Sequence, residues 1–414
     1  MKLIHKAVGD EIALQSWLRP ALTTVGPNKD YGQFREQLDA VDRVLRASHL
    51  ASMAMDFARV GFESVDAGQL RRRLEFARKA LRVNVLRMLL GNMPFRQLSR
   101  TIASSDLLAD FFGVRTIEGI KGVPKSVLER ASQCFTAEPV RWMGQVFIEM
   151  VAEADRAAEL GRAEPQSMET CLVDSTCLST NIHFPVDWVL LRDVSRTLLK
   201  AVILIRRAGM RARMPAEPEV FARQMNRLCI EMTHTRRRAN AKRARKQVLV
   251  RGKASGELEF GNTAMISENA TGLINDWQMY QQAAPAEWRQ LSESFDRQNQ
   301  FDVSTPITAA GTDRGFATTR MRQILAAARI YDATCPRDPQ ELKQRMTEPK
   351  FIQLQRRRAS TEARIAILKQ RQGKRLRAKG FMHRYFTVAW SVLGHNLWLI
   401  ARLLADEPPL AQAA

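Results

Sequence analysis

Apolar residues recur at helical spacing over most of the first 160 positions. Leu70, Leu74, Ala77, Leu81, Val85 and Leu89 advance in steps of three or four. Arg71, Arg72, Arg73, Arg78, Lys79 and Arg82 crowd the other positions, so the spacing predicts an amphipathic helix with a basic face. Shorter apolar segments at Phe95 to Ala103, at Asp106 to Phe112 and from Pro124 through Ala131 predict three short helices. With their basic exterior they suit either a helix-turn-helix-like unit or a plain helical packing domain.

The helical period breaks around Gly161 to Ser167, and Glu169 to Cys177 predicts a short buried strand. A domain boundary is expected near residue 165. Helical spacing returns from Trp188 to Ile205 (Leu191, Val194, Leu198, Val202, Ile205). Pro215 and Pro218 break it, and a second helix is expected from Glu219 to about Lys246. Glu257 to Ser267 and Gly272 to Tyr280 predict a hairpin around Glu268 to Thr271. A helix at Trp288 to Gln298, a strand at Ile307 to Asp313, a helix at Ala317 to Arg329 and a strand at Ile330 to Cys335 follow. Beyond the breaks at Pro336 and Pro339, two long helices are expected at Pro349 to Gln372 and Met382 to Asp406. The second of these carries Phe386, Trp390, Leu393, Leu397, Ile400 and Leu404 on one side. Without the helical pair between Trp188 and Lys246, the second half alternates strands and helices, which implies a mixed sheet covered by helices.

The expected organisation is therefore a helical N-terminal domain over 1–165 and an α/β domain over 166–406. An all-α insertion at about 187–255 follows the first strand, and a disordered tail covers 407–414.

Composition narrows the function. The chain has 414 residues, with 64 Lys and Arg against 43 Asp and Glu, a net charge of +21. Such an excess calls for an anionic partner, of which nucleic acid is the commonest. An apolar content of 45% excludes wholesale disorder. Five cysteines without a C-x-x-C pair argue against a disulfide framework or a structural zinc site and suit a reducing cytoplasm. The first ten residues lack an apolar signal core. His395, Asn396 and Arg402 interrupt the apolar run from Phe386 to Ala405, which reads as a buried helix and not a membrane span.

Three carboxylates stand out by position: Asp174 at the end of the first strand, Asp313 at the end of a later one, and Glu362 inside the long basic helix. Ligands of α/β sheets gather at strand ends. Hard oxygen donors suit Mg²⁺ or Mn²⁺, and two such ions about 3.5–4 Å apart serve phosphoryl transfer.

The residues around these acids carry a resemblance. Val173-Asp174-Ser175-Thr176, followed by Asn181-Ile182-His183-Phe184-Pro185-Val186-Asp187, resembles the first-aspartate block of bacterial insertion-sequence DDE transposases. Thr312-Asp313-Arg314-Gly315-Phe316 is similar to their second block, with Thr312 in place of serine. Thr361-Glu362-Ala363-Arg364-Ile365-Ala366-Ile367-Leu368-Lys369 is similar to their third, with Ala363 in place of glycine. The likeness runs from about Cys171 to Leu404. It implies a ribonuclease H-like core with a mixed five-stranded sheet, in which Asp174, Asp313 and Glu362 hold two divalent ions, Mg²⁺ or Mn²⁺. It also implies cleavage at element ends, 3′-hydroxyl strand transfer into target DNA, and recognition of terminal inverted repeats.

A homodimer or higher assembly is expected because two DNA ends must be joined, although no clear coiled-coil seam marks an interface. DNA contact is expected for Lys369, Arg364, Arg314 and Arg358 beside the blocks. Arg236, Arg237, Lys242 and Arg243 are further candidates, in a segment with no acid between Glu231 and Glu257. Asp187 reads as a helix cap, His183 as a structural histidine and Asp193 as a solvated helix residue. Trp390 and Trp398 read as core. Two other readings of the same residues are a non-catalytic DNA-binding derivative of such an enzyme and a metal-dependent nuclease that cuts without joining.

Overall fold

The computed structural model describes residues 28–60, 66–180, 187–209, 217–238, 261–301, 305–373 and 375–406, with Leu22, Val25, Gly26 and Val303 besides. The side chains of 187–189, 232–238 and 406 are not described. The block Asn181 to Val186, the expected helix beyond Arg238, the strand start at Glu257 and the tail from Glu407 all lie outside the described residues.

The N-terminal region is helical, as its period predicts. It comprises α1 (Lys29–Ala47), α2 (Leu50–Arg59), α3 (Ala67–Leu89), α4 (Phe95–Ala103) and α5 (Asp106–Phe112). Side-chain caps set several starts: Asn28 accepts from the Tyr31 amide at 2.9 Å, and Asp66 accepts from the amides of Gly68 and Gln69. A small antiparallel ribbon, β1 (Arg115–Thr116) with β2 (Gly119–Ile120), interrupts the helices. Two paired residues per strand are too few to show an alternation in the sequence. Then come α6 (Lys125–Ser132), α7 (Ala137–Ala152) and α8 (Ala154–Glu159).

The remainder begins with β3 (Thr170–Ser179), then α9 (Asp187–Arg207), α10 (Pro218–Arg238), the hairpin β4 (Gly261–Glu268) and β5 (Ile274–Met279), and α11 (Glu287–Gln298). It closes with β6 (Ala309–Gly311), a 3₁₀ turn (Arg314–Phe316), α12 (Thr319–Ala327), β7 (Tyr331–Asp332), α13 (Pro339–Arg345), α14 (Pro349–Arg371) and α15 (Phe381–Asp406). Helix α13 stands where the prolines predict only a break. Asp338 caps it and Pro339 occupies the first turn, where a missing amide costs nothing.

The five strands form one mixed sheet in the order β5-β4-β3-β6-β7. β3, β6 and β7 run parallel, and β4 pairs antiparallel with β5. Side-chain alternation gives the sheet two different faces. Cys171, Val173, Met265 and Ala310 join Leu291 and Phe295 of α11 and Met321 and Leu325 of α12 in one core. The residues of opposite parity face the other way: Ala309 and Ala333 meet Phe351 and Leu354 of α14, while Ala264 and Ile266 join the large core that includes Ile365 and Leu368.

Two compact units make up the chain: residues 1–180 with 262–414, and residues 181–261. The boundary expected near 165 falls inside the larger unit. Val41 of α1, Leu81 of α3 and Phe147 of α7 share a single apolar core with Ile266 and Trp277 of the sheet and with Trp390 and Leu397 of α15. Helix α15 is long and apolar enough to span a membrane, yet most of it is buried in this core. Its polar residues serve the fold. The Asn396 side chain accepts from the Ile274 amide at 2.9 Å and donates to the Ile274 carbonyl at 2.8 Å, and His395 Nε2 hydrogen-bonds the Gly272 carbonyl at 3.1 Å. Burial, with Arg371 nearby, drives His395 down to about 3, so it is neutral in the core.

Among its described residues, the smaller unit has α9 packed against α10, with Leu199 and Cys229 buried. Arg206 Nη1 meets Glu217 Oε2 at 2.7 Å, joining the end of α9 to the start of α10.

Candidate active site

Parallel pairing fixes where the first two acids stand. Thr170 is opposite Ala309, Cys171 opposite Ala310 and Leu172 opposite Gly311. Asp174 and Asp313 each follow the last of these pairs by two residues, so both lie on the same face of the sheet; Asp174 is inside β3, which runs on to Ser179 and does not end there as the sequence suggests, while Asp313 lies just beyond the short β6. That face carries α14, the helix that holds Glu362.

Polar side chains of α14 seat the helix on the strand ends. The Gln355 amide donates to the carbonyls of Ala333 and, at 3.2 Å, Thr312. Its carbonyl oxygen accepts from Arg358 Nε at 3.3 Å. One turn on, the Thr361 hydroxyl donates to Glu268 Oε1 at 2.9 Å, and both residues are fully buried. Arg357 donates to the Ala270 carbonyl in the β4–β5 turn. Glu362, next to Thr361, is exposed on the helix, and Arg358 precedes it by one turn.

Electrostatics shows that the acids share one neighbourhood. Burial pushes the Asp174 carboxyl up to about 6, against a hydrogen bond from the Ser175 amide. The negative charges of Asp313 and Glu362 raise it further, and Arg358 opposes them. The Ser175 amide donates to Asp174 Oδ1 at 2.7 Å, and the Gly315 amide donates to Asp313 Oδ1 at 2.9 Å. Each aspartate thus has one oxygen oriented by the backbone.

A desolvated acid with two more negative charges beside it is relieved by a cation, and carboxylate oxygens suit a hard divalent one. On donor chemistry Asp174, Asp313 and Glu362 fit such ions. Among the described residues, no three His, Cys, Asp or Glu side chains are already drawn close enough to enclose an ion.

The structure also brings up residues that spacing could not reveal. Glu287, the first residue of α11, sits against the turn after Asp313: a Cβ added at Gly315 would lie 2.7 Å from Glu287 Oε1 and 3.0 Å from Asp313 Oδ1. Burial and the charge of Asp313 raise the Glu287 carboxyl, and Arg337 lowers it. Arg337 also clamps the turn, donating to the carbonyls of Arg314 at 3.0 Å and Gly315 at 2.8 Å. These residues lie outside the three motif blocks, and no periodic signal marks them.

The expected DNA contacts divide. Arg358 stands beside Asp174, and the Arg314 side chain is exposed at the same edge. Lys369 is half-buried two turns beyond Glu362. Arg364 has its guanidinium turned inward, 3.7 Å from the buried Glu268 carboxylate and 3.4 Å from the Thr271 carbonyl, because the hairpin turn packs on that side of α14. Arg236 and Arg237 fall in the last turn of α10, where side chains are not described, and Lys242 and Arg243 lie outside the described residues. Asp193 is exposed and accepts from Arg192, and Trp390 is buried in the core.

Comparison of the chain with protein-family models, with curated proteins and with solved structures finds no match.

Proposed function

We propose that the chain is a DDE-type DNA transposase of an insertion sequence, a phosphoryl-transfer enzyme that cleaves DNA at element ends and joins the freed 3′-hydroxyl to target DNA. One observation carries the reading. Two aspartates emerge at matching positions from adjacent parallel strands, with a helical glutamate close enough to raise the proton affinity of the first. A ribonuclease H-like core is part of the proposal. It is supported by the strand order β5-β4-β3-β6-β7, the antiparallel β4–β5 hairpin beside the first strand, and the final acid on a helix crossing the sheet.

Asp174, Asp313 and Glu362 would hold two divalent ions, Mg²⁺ or Mn²⁺, which when bound activate the attacking oxygen and stabilise the leaving one. The chain's own residues do the rest. The Gly315 amide and the Arg337 clamp hold Asp313 in one orientation. Gln355 fixes Arg358 at the strand ends, where a guanidinium can meet a DNA phosphate. The excess of 21 positive charges provides the wider attraction for DNA, and the cytoplasm, on the nucleoid, is the corresponding location.

The test is a strand-transfer assay with Mg²⁺ on duplexes carrying the DNA ends that flank the coding region, comparing wild type with Asp313→Asn. Joined product from wild type and none from the variant is expected. Equal product from both removes the catalytic assignment, and cleavage without joining replaces it with a nuclease.

A further inference from the structure

Resting on the ion site proposed above, we infer that Glu268 is a positioning residue for it: the buried carboxylate at the end of β4 sets the roll of α14 through Thr361 and Arg364, and thereby fixes where Glu362 is presented. A carboxylate is an expensive side chain to place there. Glu268 is 0% exposed, and its Oε1 accepts from the Thr361 hydroxyl at 2.9 Å. Its Oε2 stands 3.7 Å from Arg364 Nε, and among the described residues neither of these two atoms has a hydrogen bond. A buried pair held this loosely recovers little of its desolvation cost, and an apolar side chain would close the same core without that cost. What the carboxylate supplies is direction.

Three contacts lock one line of α14 onto the β4–β5 turn. Arg357, Thr361 and Arg364 succeed one another by four and three residues and share a face of the helix. Arg357 donates to the Ala270 carbonyl, Thr361 to Glu268, and Arg364 to the Thr271 carbonyl at 3.4 Å. Gly272 makes room for the last of these: its φ is +94°, and a Cβ there would run into the Arg364 guanidinium. The turn is itself fixed. Buried Asn269 accepts at its side-chain oxygen from the amides of Thr271, Gly272 and Leu273 and donates to the Ser167 carbonyl at 3.0 Å. The Thr271 hydroxyl donates to Gln166 Oε1 at 2.7 Å. Arg358 and Glu362 occupy the next line round the helix.

That neighbouring line is why the pairing matters. Glu362 follows Thr361 directly, so any roll of α14 on the turn carries its carboxylate sideways. At the roughly 5–6 Å radius of helix side chains, a roll of about 10° displaces it by about 1 Å. Displacements of this size are the ones that an assembled site does not tolerate. Glu268 is joined to Thr361 and Arg364 and acts on Glu362 only through the helix between them.

Mn²⁺ binding to the ion-free full chain, followed by the electron paramagnetic resonance of the free ion, tests this without DNA or turnover. Thr361→Val removes the donor to Glu268, and Glu268→Ala removes the acceptor together with the partner of Arg364. Each is expected to weaken Mn²⁺ affinity by about tenfold or more. Thr361→Ser keeps the hydroxyl and should bind as wild type does. Leu81→Ala, which opens a cavity among the N-terminal helices, should also keep wild-type affinity well below its melting temperature. Asp313→Asn is the reference for the ion site itself. If it binds Mn²⁺ as wild type does, or if wild type binds none, the ion site fails and the inference falls with it. If Asp313→Asn loses affinity while Thr361→Val or a folded Glu268→Ala keeps it, the ion site stands and Glu268 does not position it. Equal losses in Thr361→Ser and Thr361→Val, or a loss in Leu81→Ala, would also overturn the inference, since loosened packing would then be the cause. Should Glu268→Ala fail to fold, the two Thr361 variants decide alone.

Discussion

Asp174 and Asp313 stand at matching positions on the parallel neighbours β3 and β6, each two residues beyond the pair Leu172–Gly311. Because the strands run the same way, Asp174 inside β3 and Asp313 just beyond β6 come level with each other, and strand alternation turns them to the face on which α14 lies. Bringing like charges together raises the free energy of the ion-free fold. That cost gives the site a thermodynamic signature separate from any assay of activity.

Asp174→Asn should therefore stabilise the ion-free protein at neutral pH. Burial and the neighbouring acids lift the Asp174 carboxyl to about 6 from an ordinary value of 3.8. A raised carboxyl binds its proton more tightly in the folded state, so its contribution to stability is complete below about pH 4 and is lost as pH rises to about 6. Removing the charge should recover on the order of 2 kcal/mol at pH 7 and nothing at pH 3.5. Thermal melts in EDTA at the two pH values measure this. Added Mg²⁺ should then raise the melting temperature of wild type and not of the variant. A variant less stable than wild type at pH 7 would contradict the crowding of charge at this edge.

Thr361→Val tests how α14 is seated. The Thr361 hydroxyl donates to Glu268 Oε1 at 2.9 Å, both residues are fully buried, and burial already raises the Glu268 carboxyl. Valine keeps the volume and removes the donor, leaving a buried acceptor short of a partner at a cost of about 1–3 kcal/mol. Urea unfolding should show a lower midpoint with an unchanged slope. No shift in the midpoint would mean that water or Arg364 takes over the hydroxyl's role.

The elements around the site were legible because their signals are local. The β3 residues Cys171 to Val173 are continuously apolar, the hairpin turn at Glu268 to Thr271 punctuates two strands, and the α14 and α15 periods run for six or seven turns. The motif blocks pointed to Asp174, Asp313 and Glu362. What stayed hidden depends on distant pairing. Nothing near Glu287, Arg337 or Gln355 shows that their partners are the turn after Asp313 and the ends of β6 and β7. The spacing around Arg364 could not show its partner, because a basic residue beside a motif block has the same spacing whether it faces solvent or the buried Glu268. The boundary near residue 165 reflected a true break in helical period. It did not reveal that α15, apolar on several sides, fuses the N-terminal helices and the sheet into one core.

That fusion has a polar counterpart in Asp276. The β5 carboxylate is 3% exposed and accepts from Arg297 of α11 at 2.7 Å and from Ser294 at 2.7 Å, with Arg141 of α7 at 3.6 Å. Asp276→Ala leaves two shielded guanidinium groups without their anion, which should cost about 3–5 kcal/mol. The N-terminal helices and the sheet should then unfold at a lower denaturant concentration in a single transition. If the helices melt separately while the sheet persists, Asp276 does not couple them.

Gly315→Ala probes the turn that orients Asp313. An added Cβ would lie 2.7 Å from Glu287 Oε1, closer than real Cβ contacts come, and 3.0 Å from Asp313 Oδ1, tighter than most of them, so the Glu287 carboxylate must shift and Asp313 must give by a few tenths of an ångström. The Glu287 end is flexible and half-buried and can yield. The Asp313 oxygen is held at 2.9 Å by the Gly315 amide and moves only by breaking that hydrogen bond. Under the proposed function, strand transfer should consequently fall more than stability, by about tenfold or more for a misplacement of a few tenths of an ångström to 1 Å, with a cost in folding of about 1–2 kcal/mol. Glu287→Ala in the same chain removes the nearer obstacle. The double variant should regain part of the lost activity, with a coupling on the order of 1 kcal/mol between the two positions. Strand-transfer rates and melts of the four chains in the cycle separate the effects. Strict additivity of the two substitutions would show that Glu287 and Gly315 do not touch, and would remove Glu287 from the neighbourhood of Asp313.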